Sequence, residues 1–235
     1  MKLKISKEIK ARYPDLKIGV VVAQGVKNRK QDIALEEMKR ISEDNLFNSC
    51  LTTQQLLEHP FIASWRETYR SFGVKPKDYT PTAESLIRRV LKGNKIPQIS
   101  VVVDVYLVIE IEEFLPIGGY DLDKIKGDIA LRFSSGNENF IPLGGGSKQT
   151  KPGEVVYSDD KQVLTVRWNF LDCDETKITL DTTNFILCVE AADLRVPIEA
   201  IEEAIAKLQQ ILEQFCPGQY KSFIVDVSKG LEWDI

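Results

Sequence analysis

Four short runs rich in β-branched and aromatic residues lie between residues 128 and 190, and they constrain the fold of this 235-residue chain more than any other feature. The runs are DIALRF, EVVYS, VLTVRW and FILCVE, separated by polar or glycine-rich stretches such as GNEN and LGGGSKQTKPG. Runs of this length and composition, bounded by turn residues, are typical of β-strands. The middle of the chain is therefore predicted to be rich in sheet.

Helical patterns flank this region. Apolar residues recur at three- or four-residue steps, which predicts helices over residues 29–47, 60–71, 82–91 and 197–216. Residues 16–24 predict a strand, whereas the apolar run 99–114 fits a helix or a strand equally well. Because strands and helices do not alternate regularly, we expect an α+β fold with mixed or antiparallel sheets and flanking helices. We expect one domain over residues 1–235, with a core at about 5–190 and the helix 197–216 packed on it.

Composition excludes several classes of protein. Hydrophobic residues make up 43% of the chain and charged residues 28%, as in folded globular proteins. No run of eighteen uncharged apolar residues occurs, so neither a membrane span nor a signal peptide is supported, and a cytoplasmic location is expected. The cysteines show no CxxC spacing, so we predict reduced thiols, with no metal and no cofactor. They are Cys50, Cys173, Cys188 and Cys216.

Positive charge is concentrated in the N-terminal part of the chain. Residues 1–95 hold 19 Lys and Arg against 11 Asp and Glu, although the whole chain has a net charge of −4. Such a concentration indicates an anion-binding face, or else the solvated faces of ordinary helices. The densest basic run comprises Arg66, Arg70, Lys75, Lys77, Arg88, Arg89, Lys92 and Lys95.

Familiar catalytic motifs are missing. The loop Gly144–Lys148 has Ser before Lys, whereas a phosphate-binding P-loop needs Lys before Ser or Thr at the start of a helix. His59 is the single histidine, so a nucleophile-histidine pair would depend on it alone. Asp121 and Asp123 fit an acid-base pair or the cap of a helical turn. Residue chemistry alone thus leaves the activity open.

A Pro, two glycines and a Tyr-Asp pair precede the strand DIALRF in LPIGGYDLDKIKGDIALRF, residues 115–133. This composition predicts a tight turn at Pro116–Asp121. Gly118 and Gly119 would allow a ligand to approach the backbone closely, since neither has a Cβ. A strand connection without a ligand is the alternative.

The order of several segments carries a resemblance to a known family. The stretch 65–97 (WRETYRSFGVKPKDYTPTAESLIRRVLKGNKIP) is followed by VVDVY, LPIGGYDLDKIKGDIALRF, PGEVVYSDD and VRWN. In this order they resemble free-standing proteins similar to the tRNA-editing module, called B3/B4, of the bacterial phenylalanyl-tRNA synthetase beta subunit. The likeness covers roughly residues 5–190.

The resemblance implies a partner and a site. The partner is the aminoacylated 3′ end of tRNA, rather than DNA or a membrane, and the activity is hydrolysis of the ester of a wrongly attached amino acid. Glu112 and Glu110 are the implied catalytic residues. The implied tRNA-binding residues are Arg66, Arg70, Lys75, Lys77, Arg88, Arg89 and Lys92. The implied pocket residues are Asp104, Pro116, Gly118, Gly119, Tyr120, Asp121, Arg132, Tyr157, Trp168, Asn169 and Thr183.

Four positions depart from the family pattern. Leu107 replaces an asparagine, Glu110 a small polar residue and Leu171 an arginine, while Phe114 replaces a glycine of the synthetases. These changes remove a polar amide and a guanidinium and add bulk and a carboxylate. Two functions therefore remain: a deacylase of mischarged tRNA, or an inactive module that binds tRNA, an amino acid or a protein.

Overall fold

The computed structural model describes all 235 residues and contains seven α-helices and twelve β-strands. The helices are α1 (Lys7–Arg12), α2 (Ile33–Asn48), α3 (Thr53–Glu58), α4 (Pro60–Ser71), α5 (Thr82–Leu91), α6 (Val101–Glu113) and α7 (Ile198–Phe215). The strands are β1 (Lys2–Ile5), β2 (Lys17–Gln24), β3 (Ile117–Asp121), β4 (Ile129–Phe133), β5 (Asn139–Phe140), β6 (Lys148–Gln149), β7 (Val155–Ser158), β8 (Val163–Val166), β9 (Leu171–Asp172), β10 (Phe185–Ala191), β11 (Gln219–Asp226) and β12 (Glu232–Asp234).

Two sheets organise the molecule. The larger one has the order β12-β1-β4-β7-β8-β9, and the smaller one has the order β11-β2-β10-β3. All neighbouring strands pair antiparallel except β1 and β4, which are parallel. The expected α+β class with mixed and antiparallel sheets is confirmed. None of the helices is both long and apolar enough to cross a membrane.

The smaller sheet has a buried layer on each face. Because side chains alternate along a strand, Val20 and Val22 of β2 face a core shared with the larger sheet, and Val21 and Ala23 face the helices. Helix α7 packs on the second face so closely that a Cβ at Gly19 would lie 2.5 Å from Ile205. The nearly continuous apolar run of β10, interrupted by Glu190, is thus explained by burial on both sides.

The predicted helix bounds 60–71 and 82–91 agree with α4 and α5, and the ambiguous run 99–114 is mostly helix α6. Ser100 begins α6 by accepting a hydrogen bond from the Val103 amide. The predicted tight turn at Pro116–Asp121 is wrong, because Ile117–Asp121 forms strand β3 and pairs with β10 over its whole length.

Candidate functional site

A cavity of about 100 Å³ lies where the two sheets meet the end of α6. Strands β3 and β10 form one wall, strands β7, β8 and β9 another, and helices α5 and α6 contribute the rest. The lining residues are Thr82, Tyr106, Leu107, Glu110, Ile117, Gly118, Tyr120, Tyr157, Thr165, Trp168, Asn169, Phe170, Leu171, Asp172, Cys188 and Glu190. We call this cavity the central pocket.

Glu190 is the best-connected carboxylate of the central pocket. It lies on β10 and is 3% exposed. Tyr157 donates its hydroxyl and Trp168 its indole N–H (2.9 Å) to Oε1, while the Asn169 amide donates to Oε2 at 3.0 Å. Burial raises the pKa of Glu190 to about 7, although these hydrogen bonds act in the opposite direction. The group therefore changes its protonation near neutral pH.

Asp172 belongs to a second polar chain, at the edge of the larger sheet. Its Oδ1 accepts a 2.6 Å hydrogen bond from the Thr165 hydroxyl, which also bonds the Tyr120 hydroxyl at 2.6 Å. The residue is half-buried, and this burial raises the pKa of its carboxyl to about 6. Asp172 is therefore mainly ionised at neutral pH, with Oδ2 free of any bond within the protein.

Glu110 has no such support. The side chain lies on α6, is completely buried and has no hydrogen-bond partner for either carboxylate oxygen. Burial raises its pKa well above the usual range. The nearby Thr82 hydroxyl and Ile117 amide, which do not reach hydrogen-bond geometry, oppose this shift, and the charge of Asp172 adds to it. A buried carboxyl group without a partner is costly, so its presence at the pocket wall requires an explanation.

The two glycines of β3 have different surroundings. A Cβ at Gly118 would meet no atom within 4 Å, so the space beside it belongs to the pocket. A Cβ at Gly119 would lie 2.1 Å from the Ile186 carbonyl oxygen. Neither glycine has a positive φ. Gly119 is therefore required by strand packing, whereas Gly118 keeps the pocket open.

Six of the expected site residues line the central pocket: Gly118, Tyr120, Tyr157, Trp168, Asn169 and Glu110. The others lie elsewhere. Glu112 pairs with Lys207 of α7, Asp104 with the buried Lys39 at 2.9 Å, and Arg132 with Glu138. These three side chains stabilise contacts between elements.

The remaining expected pocket residues have local structural contacts. The Pro116 carbonyl accepts a 3.2 Å hydrogen bond from the Glu190 amide. Asp121 accepts hydrogen bonds from the Asp123 amide at 3.0 Å and from the Thr182 hydroxyl at 2.7 Å. Of its two predicted roles, acid-base pair or cap of a helical turn, these contacts fit the cap. Thr183 is exposed and contacts Asp123. None of the three lines the pocket.

The expected tRNA-binding residues divide into two groups. Arg66 and Arg88 both bind the buried Glu84, at 2.8 Å. The other five, Arg70, Lys75, Lys77, Arg89 and Lys92, are exposed. Arg89 also donates to the Lys95 carbonyl at 2.6 Å. The exposed residues are therefore the ones placed to meet a polyanion.

His59 lies away from every candidate nucleophile. Its ring stacks on Phe114, with centroids 4.4 Å apart, and burial lowers its pKa. All four cysteines are free thiols, and burial raises the pKa of Cys188, the one that lines the pocket. A histidine-activated nucleophile is thus absent from the pocket.

Comparisons with known proteins assign this chain to a family. The model of the B3/4 domain matches residues 64–217. Among curated relatives, the phenylalanine-tRNA ligase beta subunit of Cupriavidus pinatubonensis is 30% identical over 115 residues, which cover 49% of this chain and 14% of the relative. The same subunit of Fusobacterium nucleatum is 29% identical over 86 residues, 37% of this chain and 11% of the relative.

One solved structure is an N-terminal fragment of the phenylalanyl-tRNA synthetase beta subunit from Pyrococcus horikoshii. It aligns with 95% of this chain and 53% of its own at 14% identity, with a TM-score of 0.43. The chain spans a small part of the curated relatives it matches. Since the family model covers more than half of the chain and includes every strand and helix around the central pocket, this protein belongs to the B3/4 domain family.

Proposed function

We propose that this protein acts in the cytoplasm as a deacylase that hydrolyses the aminoacyl ester of mischarged tRNA. The observation that carries the proposal is Asp172, an ionised carboxylate with a free oxygen, in a pocket that also holds hydroxyl donors. Membership of the B3/4 domain family and similarity to phenylalanine-tRNA ligase beta subunits support a tRNA-related role. Hydrolysis of an ester needs a positioned water, a base and donors for the carbonyl oxygen.

The pocket residues supply these parts as follows. Asp172 Oδ2 removes a proton from a water, whose oxygen bonds to the ester carbonyl carbon. The Tyr120 hydroxyl donates to Thr165 and the Thr165 hydroxyl donates to Asp172 Oδ1, so this polar chain orients the base. The hydroxyl of Tyr106, which also lines the pocket, donates toward the developing oxyanion. The bond from the carbonyl carbon to the ribose oxygen then breaks, and that oxygen takes the proton from Asp172. The products are the free amino acid and tRNA.

The volume of the pocket defines which part of the substrate enters it. A cavity of about 100 Å³ lies below the usual size of small-molecule sites. The aminoacyl group therefore enters past Gly118, whereas the adenosine stays outside. The exposed residues Arg70, Lys75 and Lys77 bind the phosphates of the acceptor end.

A second candidate function is an inactive module that binds tRNA, an amino acid or a protein. The side chains of Leu107, Phe170 and Leu171 favour it, because they occupy the pocket wall where a larger substrate would lie. Binding without turnover is the property that distinguishes this candidate.

The deciding experiment is deacylation of a panel of correctly charged and mischarged tRNAs by the purified protein, with spontaneous ester hydrolysis as the reference. Selective loss of a mischarged species is expected, and it names the amino acid. If no tRNA is deacylated faster than in buffer while tRNA still binds, the inactive module replaces the deacylase.

A further inference from the structure

All the ionisable side chains that line the central pocket are acids. They are the carboxyl groups of Glu110, Asp172 and Glu190, the thiol of Cys188 and the phenols of Tyr106, Tyr120 and Tyr157. Lys, Arg and His are absent from the lining. Each wall contributes one carboxyl group, since Glu110 belongs to α6, Asp172 to β9 and Glu190 to β10. Because no positive side chain lines the pocket and Asp172 is mainly ionised at neutral pH, the field inside it favours positive charge.

Glu110 distinguishes this pocket from a mere cluster of acids. Glu190 has its donors in Tyr157, Trp168 and Asn169, and Asp172 has Thr165. Glu110 is completely buried at the pocket wall, and both of its oxygens are without a partner. Two unpartnered oxygens on a side chain that lines a cavity indicate donors supplied by a ligand.

The arrangement selects among cations. The carboxyl groups of the pocket are not grouped in the way that holds a metal ion. An ammonium group has three N–H donors and one positive charge, and it fits a small space with separate acceptors on different walls. Aromatic rings of Tyr106, Tyr120 and Trp168 in the lining add faces that attract a cation.

We propose that the central pocket receives a primary ammonium group, which donates to Glu110 and is neutralised by the pocket carboxylates. This inference rests on the proposed function in one respect: in the deacylase, the ammonium belongs to the aminoacyl group. Two sources share the chemistry, the α-ammonium of any aminoacyl ester and the side-chain ammonium of a basic amino acid. A set of amino acid amides separates them.

The test is isothermal titration calorimetry of the purified protein at about pH 7 with three amides of similar shape. L-norleucinamide carries only an α-ammonium, Nα-acetyl-L-lysinamide carries only a side-chain ammonium, and Nα-acetyl-L-norleucinamide carries neither. Concentrations to about 20 mM detect dissociation constants in the millimolar range. We expect at least one charged amide to bind about tenfold more tightly than the neutral one, which corresponds to one hydrogen bond to a charged group.

The Glu110→Gln variant assigns the effect to the pocket. It keeps the shape of the side chain and removes its ability to ionise, so we expect about a tenfold weaker binding of the charged amide. The Glu113→Gln variant is the matched control, since Glu113 lies on the same helix and pairs with Lys207 outside the pocket. Thermal melts verify that both variants fold.

The number of protons released on binding is a measurement that a purely structural role of Glu110 would leave unchanged. Burial raises the pKa of Glu110 and so favours its protonated form in the free protein, whereas a bound ammonium favours the carboxylate and the release of a proton. The wild-type titration heat should therefore depend on the ionisation enthalpy of the buffer, and that dependence should be reduced in Glu110→Gln.

Equal binding of the neutral and charged amides, or no binding of any of them, overturns the inference. Equal affinities of wild type and Glu110→Gln for the charged amide do the same. Because these measurements use no tRNA, they are independent of the deacylation assay. If the protein binds the charged amides selectively but deacylates no tRNA, the inference about the ammonium group holds and the proposed deacylase activity is excluded.

Discussion

The side-chain amide of Asn169 donates a 3.0 Å hydrogen bond to Oε2 of Glu190. The other end of the same amide accepts a 2.7 Å hydrogen bond from the hydroxyl of Tyr69 on α4. Helix α4 also carries the exposed Arg70. Asn169 thus links the pocket carboxylate to the helix that carries Arg70. In the proposed function, the aminoacylated end of tRNA would contact both regions.

Asp172→Asn should lower the deacylation rate at least about a hundredfold, because removal of a general base costs about that factor or more. In the wild type, the rate should rise with pH through about 6 and then level off, since the burial-raised pKa of Asp172 is about 6 and only its ionised form accepts a proton. Rates measured from about pH 5 to 8, corrected for spontaneous hydrolysis, check this. A profile without an inflection near 6 contradicts the role of Asp172.

Gly118→Ala and Gly119→Ala form a matched pair. The Gly118 variant should fold with a nearly unchanged free energy of unfolding and should lose deacylation, because its methyl group enters the pocket. The Gly119 variant should lose about 2 kcal/mol or more of stability, because its methyl group would lie 2.1 Å from the Ile186 carbonyl. Urea unfolding and the deacylation assay are the two measurements. Full activity of Gly118→Ala would exclude entry of the substrate beside this residue.

Arg70→Ala combined with Lys77→Ala should weaken tRNA binding and reduce the steepness of its salt dependence by roughly 0.7 to 0.9 for each phosphate that the variant no longer neutralises. Both side chains are exposed. Filter binding of tRNA at several salt concentrations measures the slope. Arg66→Ala serves as the comparison: it leaves Glu84 with Arg88 alone, so it should lower stability by about 1–3 kcal/mol. An unchanged salt dependence of tRNA binding in the double variant would show that Arg70 and Lys77 do not contact tRNA phosphates.

Stability should decrease as pH rises from about 4.5 to 7, the reverse of the usual trend for carboxyl groups. Burial raises the pKa of Glu190 to about 7, so the folded protein keeps a proton that the unfolded chain has already released near pH 4.5. Folding therefore binds protons across this window, and the free energy of unfolding falls with pH.

Glu190→Gln removes this contribution. The difference in stability between wild type and variant should change by about 3 kcal/mol across the window, in favour of the variant at the higher pH. Urea unfolding followed by circular dichroism at each pH gives the difference, and Glu113→Gln should keep the wild-type slope. Parallel stability curves for wild type and Glu190→Gln would show that folding does not raise the pKa of Glu190.

Asp104→Ala should lower the free energy of unfolding by about 3 kcal/mol or more, because it leaves the buried Lys39 without its 2.9 Å partner. Asp104 does not line the pocket, so the folded variant should bind amino acid amides as the wild type does. Denaturation and calorimetry on the same preparation separate the two effects. A loss of amide binding without a loss of stability would show that Asp104 contributes to the binding site.

Local sequence patterns predicted where most helices and strands lie, but they did not decide for every segment whether it is a helix or a strand. Helices α4 and α5 combine a clear apolar face with Gly73 and Gly93 just past their ends, so both bounds were predictable. Helix α6 begins with β-branched residues and is buried over most of its surface, because α2, α5, α7 and β3 surround it. The apolar residues of such a segment show no clear helical period. Strand β3 was missed because its two glycines resemble a turn, although pairing with β10 determines its conformation.

The candidate site was predictable only in part. Gly118, Tyr157 and Trp168 came from the family resemblance, and they do line the pocket. Glu190 had a signal in the residues themselves, since it is a carboxylate within the wholly buried strand FILCVEA. Asp172 had none, because it belongs to a two-residue strand after an irregular turn. Its proximity to Glu110 arises from tertiary packing, which no local pattern encodes.

Trp168 gives the pocket an optical reporter of its own. Its buried indole N–H is bound to a carboxylate that changes charge near neutral pH. The electric field along the indole ring thus changes when Glu190 loses its proton or when a cation enters beside it. The emission wavelength of this ring should therefore report the charge state of the pocket. The chain also contains Trp65 and Trp233, so a variant that lacks these two would follow the titration of the acids or the arrival of a ligand without a label.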